Sequence, residues 1–357
     1  MFGKIELRQG QPDHRLTEEA FKLEFKKGFF DPRYQTVATE LDAVAEVAWQ
    51  NYREGRKAPR RVQAGAGFAD PEYLLSQEWL EVRGRLLKAE KEHSTSASRV
   101  LLINGSPRNE HTCPGEISKS YRLTQIAIQK IQELGLEVDL LDLSELTSQY
   151  GKQIHPCKGC VSTAMPLCHW PCSCYPHHSM GQTHDVMGDI YERWVRAHGV
   201  MIITPVHWYQ VPSVMKLMMD RLVCADGGNP DPTSTQGKDA EKAKKIELKG
   251  WNYPRPLAGR AFSVVVHGDA AGAENVRRSL TDWLTDMELI SAGPRATFER
   301  YIGYNESYAQ SHEHLDKDKA LMKEVEVAAT MLGRQIEILR TGKFNATDEE
   351  LPKPNDK

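Results

Sequence analysis

The chain has 357 residues, of which 40% are hydrophobic and 27% are charged, a composition typical of a globular protein with one large or two smaller domains. Its net charge of −3 gives no electrostatic reason to expect a nucleic-acid partner. No apolar run approaches the roughly 20 residues that a membrane helix needs, and the N-terminal sequence lacks the apolar stretch of a signal peptide. We therefore expect a cytoplasmic protein with no membrane partner.

Residues 1–95 are predicted to form a helical extension that contains no sheet. Apolar residues recur at helical spacing from Val37 to Tyr52 and again from Leu75 to Leu86. Asp70 and Pro71 are residue types that favour an N-cap and a first helical position, so the second helix is predicted to begin there. The basic residues within 53–61 have no aromatic residues between them, and we predict that they form a solvated loop.

From Arg99 onward the sequence alternates between apolar strand patterns and amphipathic helix patterns. This alternation is typical of a doubly wound parallel sheet. We predict a single α/β domain over residues 99–341, followed by a polar tail over residues 342–357. The five predicted strands are Val100–Ile103, Glu137–Leu143, Val200–Val206, Ala261–Val266 and a weaker one within Gly293–Tyr301.

Three of these strands end in loops that are suited to binding a ligand. The loops are GSPR at 105–108, TPVHWYQ at 204–210 and HGDAAG at 267–272. Ligands of doubly wound sheets bind beyond the carboxyl ends of the strands, so the three loops are expected to converge. The first loop leads to a helix that begins near Ser118, and a helix N-terminus binds phosphate. The second loop offers aromatic rings and backbone amides, so a flat phosphorylated ligand such as FMN is predicted.

A segment rich in cysteine and histidine, residues 155–184, interrupts the alternating pattern. Such a density of soft ligands in a cytoplasmic protein favours metal binding. Three interpretations remain open, namely a 4Fe–4S cluster, a zinc ion, and a metal-free loop in which Cys157 and Cys160 form a redox-active dithiol. The candidate metal ligands are Cys157, Cys160, Cys168, Cys172 and Cys174.

A second long segment, residues 226–259, is too long for a routine connection. It contains a charged helix predicted over residues 240–248. We predict that the segment forms a lid on the acceptor side of the ligand or an arm that contacts another subunit.

The motifs RVLLINGSPR, IHPCKGC and TPVHWYQVPSVMKLMMDRL resemble those of the NADPH-dependent FMN reductase family, and in particular its iron–sulfur flavoprotein branch. The resemblance covers Arg99 to Ile302 and implies a flavodoxin-like fold that binds FMN. It also implies NAD(P)H as co-substrate, a quinone, a flavin or a similar small molecule as acceptor, and a homodimer or homotetramer. The alternative is an iron–sulfur flavoprotein that carries electrons between protein partners.

The resemblance also implies which residues hold the cofactor. His207 and Tyr209 would be the catalytic residues, and His207 could hydrogen-bond the flavin, help to protonate a quinone or simply pack. Trp208 and Tyr209 follow a Pro-Val turn at the end of a strand, which favours ligand contact over a place in the core. The cofactor-binding residues would be Ser106, Arg108, Ser118, Lys119 and Ser120 at the phosphate, Pro205, Val206, His207, Trp208 and Tyr209 at the ring, and His267, Gly268, Asp269 and Gly272 at its edge.

Overall fold

A computed structural model of the chain describes residues 15–113 and 115–344, apart from the side chains of residues 308 and 309. The chain divides into two compact units, and each is built from segments that are separated in sequence. The unit that we call the cysteine unit consists of Met1–Gly84, Gln153–Gly188 and Gly227–Pro254. The unit that we call the sheet unit consists of Arg85–Lys152, Asp189–Asp226 and Arg255–Lys357.

The described residues form eight strands and eleven α-helices. The strands are β1 Arg61–Gln63, β2 Leu74–Ser76, β3 Arg99–Asn104, β4 Glu137–Asp142, β5 Gly199–Pro205, β6 Ala261–Gly268, β7 Ile290–Ser291 and β8 Thr297–Tyr301. The helices are α1 Glu18–Lys26, α2 Ala38–Arg53, α3 Gln77–His93, α4 Lys119–Glu133, α5 Glu145–Ser148, α6 Met187–Arg196, α7 Ser213–Arg221, α8 Ala240–Leu248, α9 Ala273–Asp286, α10 Tyr308–Lys317 and α11 Lys319–Arg340.

The sheet unit is organised around a parallel sheet in the order β4-β3-β5-β6, with β7 and β8 both pairing with β6. Every pair in this sheet is parallel. Numbered within the sheet alone, the order is 2-1-3-4-5, which is that of the flavodoxin-like folds. The predicted doubly wound, flavodoxin-like sheet is therefore confirmed. The fifth position in the sheet is shared by two short strands, because the chain stops pairing with β6 after Ser291 and pairs with it again from Thr297.

Alternation along the strands divides the core of the sheet unit between two faces. Val100, Leu102, Met201 and Ile203 pack in one fully buried cluster with α4 and α11. The intervening residues of β3 and β5 are also fully buried, because helices cover a sheet of this kind on both faces. The buried side of α9 packs against β6 and β8. Burial on both faces fixes the register of the strands and therefore the position of their carboxyl ends.

The three segments of the cysteine unit are joined by specific hydrogen bonds. The indole Nε1 of Trp79 donates to the carbonyl of Pro171 at 2.8 Å. The backbone N–H of Ala69 donates to the Asp231 carboxylate at 2.8 Å, and that of Met165 donates to the Glu247 carboxylate at 2.8 Å. The N-terminal residues, the cysteine-rich loop and the 227–254 segment therefore form one folded body.

The structure corrects three predictions for the N-terminal region. Residues 1–95 are not free of sheet, because β1 and β2 form an antiparallel pair with Val62 opposite Leu75. The second helix begins at Gln77 rather than at Asp70 and Pro71, because the intervening residues are taken up by β2. The basic residues of 53–61 are not simply a solvated loop, because Lys57 is half-buried and its ammonium donates to the carbonyl of Ser173.

In the part of the chain that the structure describes, no helix combines the length and the apolar character that crossing a membrane would require.

Candidate functional site

A cavity of about 630 Å³ lies at the carboxyl ends of the strands of the sheet unit. Its volume falls in the range of about 300–1,000 Å³ that is common for small-molecule and cofactor sites. The walls come from the loops after β3, β5 and β6, so these three loops converge within one unit as expected. The lining residues are Ser106, Pro107, Arg108, Thr112, Cys113, Ser118, Lys119, Ser120, Thr147, Pro205, Val206, His207, His267, Gly268, Asp269 and Ile302.

The turn after β3 is held by a buried asparagine and a glycine. Asn104 is fully buried, donates to the Asp142 carboxylate at 2.9 Å and accepts the N–H of Ser106 at 3.3 Å. A Cβ on Gly105 would lie 2.6 Å from the Oγ1 of Thr204, the residue before the end of β5. Glycine therefore permits the close approach of the two strand ends that brings Ser106 to the cavity.

The N-terminus of α4 forms the second wall of the cavity. Ser118 is its N-cap, and the Ser118 hydroxyl oxygen accepts the N–H of Tyr121 at 3.1 Å. The first N–H groups of a helix have no acceptor inside the helix, and together with the helix dipole they attract an anion. Lys119 and Ser120 follow in the first turn, and both are buried. Burial lowers the pKa of Lys119, while the charge of Asp269 acts in the opposite direction.

Two histidines that line the cavity are held in the neutral form. His267 is buried, its Nε2 lies 2.8 Å from the Ser120 hydroxyl, and burial lowers its pKa to about 3. Its Nδ1 is buried with no hydrogen-bond partner. His207 is exposed, and partial desolvation of its ring lowers its pKa as well. The two imidazoles are therefore polar, uncharged groups at the cavity, between the Asp269 carboxylate and the cations of the α4 side.

A tight turn carries the two aromatic residues after β5. The backbones of His207 and Gln210 exchange hydrogen bonds at 2.8 and 2.9 Å. Trp208 and Tyr209 have φ angles of 50° and 67°, and positive φ at both central residues is what a type I′ turn requires. Large aromatic residues rarely adopt this backbone conformation. Trp208 is 92% exposed and Tyr209 is 61% exposed, so neither belongs to the core.

Of the fourteen residues predicted to bind the cofactor, eleven line the cavity. Trp208, Tyr209 and Gly272 do not. Gly272 packs behind the turn, since a Cβ there would meet the Cα of Tyr209 at 2.9 Å. Of the two predicted catalytic residues, His207 therefore lines the cavity and Tyr209 does not.

Arg108 has a partner that the sequence did not predict. Its Nη2 lies 2.6 Å from the carboxylate of Glu116, in the segment between the GSPR turn and α4. Asn109 fixes the same segment, since its amide donates to the hydroxyls of Ser144 and Ser148 at 2.9 and 2.8 Å. Arg108 still lines the cavity, but one of its donors is already directed to a protein carboxylate.

Sequence reasoning missed several residues that line the cavity, Thr112 and Thr147 among them. Thr112 lies in the segment after GSPR, and its position depends on how that segment folds back. Thr147 lies in α5, just after β4, and its hydroxyl donates to the carbonyl of Pro107 at 2.6 Å. The end of β4 lies at the same sheet edge as the other strand ends, so the rule that identified the three loops also identifies this fourth one.

The cysteine unit places four of its five loop cysteines around two lysines. The neighbouring thiols of Cys168 and Cys174 and the Lys238 ammonium, whose Nζ lies 3.7 Å from the Cys160 sulfur, hold the pKa of Cys160 well below its ordinary value. Burial acts to lower the pKa of Lys238, but the surrounding cysteine sulfurs together raise it. All cysteines among the described residues are free of disulfide bonds.

The predicted dithiol of Cys157 and Cys160 stays a prediction. The sulfur of Cys157 accepts the N–H of Gly159 at 3.4 Å. Within residues 15–113 and 115–344, no group of three or more cysteine, histidine or acidic side chains has an arrangement that could hold a metal ion. The predicted metal site at Cys157, Cys160, Cys168, Cys172 and Cys174 thus finds no support in the geometry.

The basic residues of the cysteine unit line a cavity of about 480 Å³. Arg56, Lys57, Arg61 and Lys238 supply four cationic side chains to its wall, and Trp79 is one of three aromatic residues there. Lys57 and Lys238 therefore face this cavity and also act on the cysteines.

The flavodoxin-like sheet and the polar cavity at its carboxyl edge define a doubly wound α/β protein with a cavity where such folds bind their ligands. Comparison with known proteins gives the family. The family model of the NADPH-dependent FMN reductases matches residues 98–299, more than half of the chain. The chain belongs to this family, and it is a flavin-dependent oxidoreductase.

Individual relatives are more distant. The chain is similar to the iron–sulfur flavoprotein of Methanosarcina thermophila, with 26% identity over 200 residues that cover 56% of this chain and 80% of the relative. Solved structures with similar folds include RosB with bound 8-demethyl-8-formylriboflavin-5′-phosphate, at 15% identity, 70% and 82% coverage and a TM-score of 0.47. The apo form of the NADH:FMN oxidoreductase EMOB shows 13% identity, 71% and 93% coverage and a TM-score of 0.35.

Proposed function

We propose that the protein binds FMN in the cavity of the sheet unit and transfers electrons from NAD(P)H to a small acceptor such as a quinone or a free flavin. The observation that carries this proposal is the convergence of the α4 N-terminus with the loops after β3, β5 and β6 on one cavity of cofactor size. The hydride chemistry is supplied by the flavin when it is bound, and the protein positions and tunes it.

The donors at the α4 end fit a terminal phosphate. Ser106, Ser118 and Ser120 bring three hydroxyls to the cavity, and Lys119 brings an ammonium group. Hydrogen bonds from charged donors to phosphate oxygens are stronger than neutral ones. The side chain of Lys119 is also held in place, with its Nζ 5.6 Å from the centre of the Tyr304 ring. We infer that this end of the cavity binds and orients the phosphate.

The opposite wall fits a flat, polar ring. Pro205 ends β5 and Val206 follows it, and Gly268 ends β6 at a place where a Cβ would lie 3.4 Å from the Cβ of Val206. The depressed pKa of His207 makes its imidazole neutral at pH 7, so it can donate or accept one hydrogen bond without adding a charge. A neutral His207 beside the ring adds no positive charge there, so the cations nearest the phosphate are those of the α4 side.

A fluorescence titration tests the phosphate assignment. We expect the full-length protein to bind FMN at least about tenfold more tightly than riboflavin, because riboflavin lacks the group that the charged donors recognise. Ser120→Ala should weaken FMN binding and leave riboflavin binding unchanged. Thr330→Ala is the matched control, since its hydroxyl donates to the Glu326 carbonyl in α11, outside the cavity lining. Equal affinity for the two flavins would contradict the assignment.

Rapid mixing of the FMN-loaded protein with NADPH or NADH tests the activity. We expect the flavin absorbance to bleach with at least one of the two, and to return when a quinone or free flavin is added. A loaded protein that stays oxidised with both nicotinamides would refute the reductase and would favour the alternative, an electron carrier between protein partners.

A further inference from the structure

The cavity of about 480 Å³ in the cysteine unit takes no part in the flavin chemistry proposed for the sheet unit. All of its lining residues belong to the cysteine unit, and each of the three segments supplies some of them, among them Arg56, Ser173 and Lys238. Its volume lies in the range of about 300–1,000 Å³ that is common for small-molecule sites. The cavity therefore has room for an organic ligand of its own.

Main-chain hydrogen bonds hold the backbone that carries three of the cationic side chains of this cavity. The carbonyl of Arg56 accepts the N–H of Ser179 at 3.0 Å. The carbonyl of Lys57, the next residue, accepts the N–H of His178 at 2.9 Å. Arg61 begins β1 and is paired with β2 in the antiparallel ladder. Because this backbone is fixed in the folded chain, a ligand has little of the wall to order when it binds.

The two arginines of this cavity donate hydrogen bonds to neutral groups. The Nη2 of Arg56 donates to the carbonyl of Pro59 at 2.8 Å, and the Nη2 of Arg61 donates to the carbonyl of Leu74 at 2.9 Å. A carbonyl leaves the guanidinium charge in place, and arginine keeps that charge at any ordinary pH. The described wall carries four cationic side chains and one carboxylate, that of Glu54, in a chain whose net charge is −3. Such a local excess of positive charge attracts an anion.

Another part of the wall is apolar. Leu75 and Trp79 line the cavity and are 5% and 7% exposed. The single N–H of the Trp79 indole donates to the carbonyl of Pro171 at 2.8 Å, and the hydroxyl of Tyr175 donates to the carbonyl of Pro156 at 2.8 Å. With these donors engaged, the side chains offer carbon surface to the cavity, which suits the apolar or aromatic body of a ligand.

We propose that this cavity binds a phosphomonoester of about the size of a mononucleotide. The cations of the wall, Arg56 and Arg61 first among them, hold the phosphate, and Leu75 and Trp79 contact the organic body. Guanidinium groups bind phosphate oxygens two at a time. A phosphomonoester carries a charge of about −1.5 to −2 at pH 7, which matches an excess of three cations better than the single charge of a carboxylate does.

Isothermal titration calorimetry of the full-length protein tests the proposal, with AMP as the probe and with FMN present in excess to fill the cavity of the sheet unit. We expect AMP to bind at least about tenfold more tightly than adenosine, which has the same body without the charge. We expect the same margin over inorganic phosphate, which has the charge without the body. The affinity for AMP should fall as the ionic strength rises.

Arginine variants locate the phosphate. Arg56→Gln and Arg61→Gln should each weaken AMP binding about tenfold, because each removes a charged donor to the phosphate. Arg56→Lys should keep part of the affinity, since it retains the charge and loses the fork of donors. Arg60→Gln is the matched control, because Arg60 lies between the two arginines in sequence, is exposed and is not among the lining residues. Its affinity for AMP should equal that of the wild type.

Several outcomes would overturn the proposal. AMP that releases no heat at millimolar concentrations would do so, and so would adenosine or inorganic phosphate that binds as tightly as AMP. An equal loss of affinity in Arg60→Gln would show that AMP responds only to general surface charge. Displacement of FMN by AMP, seen as a change in flavin fluorescence, would place the nucleotide in the sheet unit instead.

This proposal and the proposed function fail separately. Arg56→Gln and Arg61→Gln change the cysteine unit, so the affinity for FMN should be unchanged in both variants, and that measurement also reports that the sheet unit is folded. The ranking of wild type, Arg56→Gln, Arg61→Gln and Arg60→Gln by AMP affinity can equally be measured without FMN. A protein that binds no flavin would therefore still give a result for the cavity of the cysteine unit.

Discussion

The turn at Trp208 leads to a prediction in which stability and ligand binding change in opposite directions. Trp208 has a φ of 50° and a side chain that is 92% exposed. Replacing it with glycine removes the steric conflict of the left-handed backbone, and it removes almost no buried apolar surface. We therefore expect Trp208→Gly to make the flavin-free protein more stable.

The size of the effect follows from two opposing contributions. A left-handed backbone costs a residue with a side chain about 1–2 kcal/mol. Glycine loses more conformational freedom on folding, which costs about 0.5–1 kcal/mol. The net gain is about 0.5–1 kcal/mol, which corresponds to a rise of about 1–4 °C in the melting temperature of a unit of 150–250 residues.

The assay is thermal unfolding of the flavin-free protein followed by circular dichroism, because a bound ligand would itself raise the melting temperature. Tyr150→Gly is the matched control. Tyr150 is 99% exposed and is not among the residues with positive φ, so this variant should be neutral or less stable. A loss of stability in Trp208→Gly would refute the reasoning, since it would show that the indole packs against something.

The same variant tests whether Trp208 contacts the flavin. An aromatic contact contributes about 0.5–1.5 kcal/mol beyond its buried area, so FMN affinity should fall about threefold to tenfold. Unchanged affinity would remove Trp208 from the binding site and would leave the stability prediction intact.

Two further predictions concern the core of the site. Burial lowers the pKa of His267 from 6.5 to about 3, so the folded protein resists protonation of this ring and loses stability as the pH falls below about 6.5. In urea unfolding, His267→Gln should therefore reduce the stability lost between pH 7 and pH 5 by about 2 kcal/mol. A similar reduction in the surface variant His111→Gln would contradict this assignment to His267. Gly105→Ala places a Cβ 2.6 Å from the Thr204 Oγ1 and should lower the free energy of unfolding by about 1–3 kcal/mol. Gly268→Ala should lower the free energy of unfolding by less than about 1 kcal/mol. Similar losses of stability in both variants would refute the argument that Gly105 permits a close approach of the two strand ends.

Helix ends could be predicted well where a cap and an amphipathic pattern agree. Helix α8 forms at the predicted residues, with Asp239 as the N-cap that accepts the N–H of Lys242. The β1–β2 pair could not be predicted in this way. Each strand has three residues, and β1 is exposed along its length, so no buried alternation marks it. Leu75 also fits the helical pattern of the residues after it, which placed the helix start too early.

In the candidate site, too, some residues could be predicted from regular patterns in the sequence and others could not. The rule that ligands bind beyond parallel strand ends needs only the strands, and it identified Ser106, Val206 and Gly268. The ion pair of Arg108 with Glu116 depends on how an irregular segment folds back, for which no periodicity exists. The contact of Cys160 with Lys238 depends on loop geometry too, so cysteine spacing alone does not predict it.

The make-up of the cysteine unit from three separated segments has a consequence for biosynthesis. Its first segment leaves the ribosome long before the last one, Gly227–Pro254, is translated, and Trp79 and Asp231 belong to different segments. The contacts that complete this unit are therefore far apart in sequence, and such contacts form slowly. The first segment carries aromatic rings that pack on one another, with Phe21 4.7 Å from Tyr52 and 5.7 Å from Trp49. Chaperone binding to this early segment is the expected safeguard during translation.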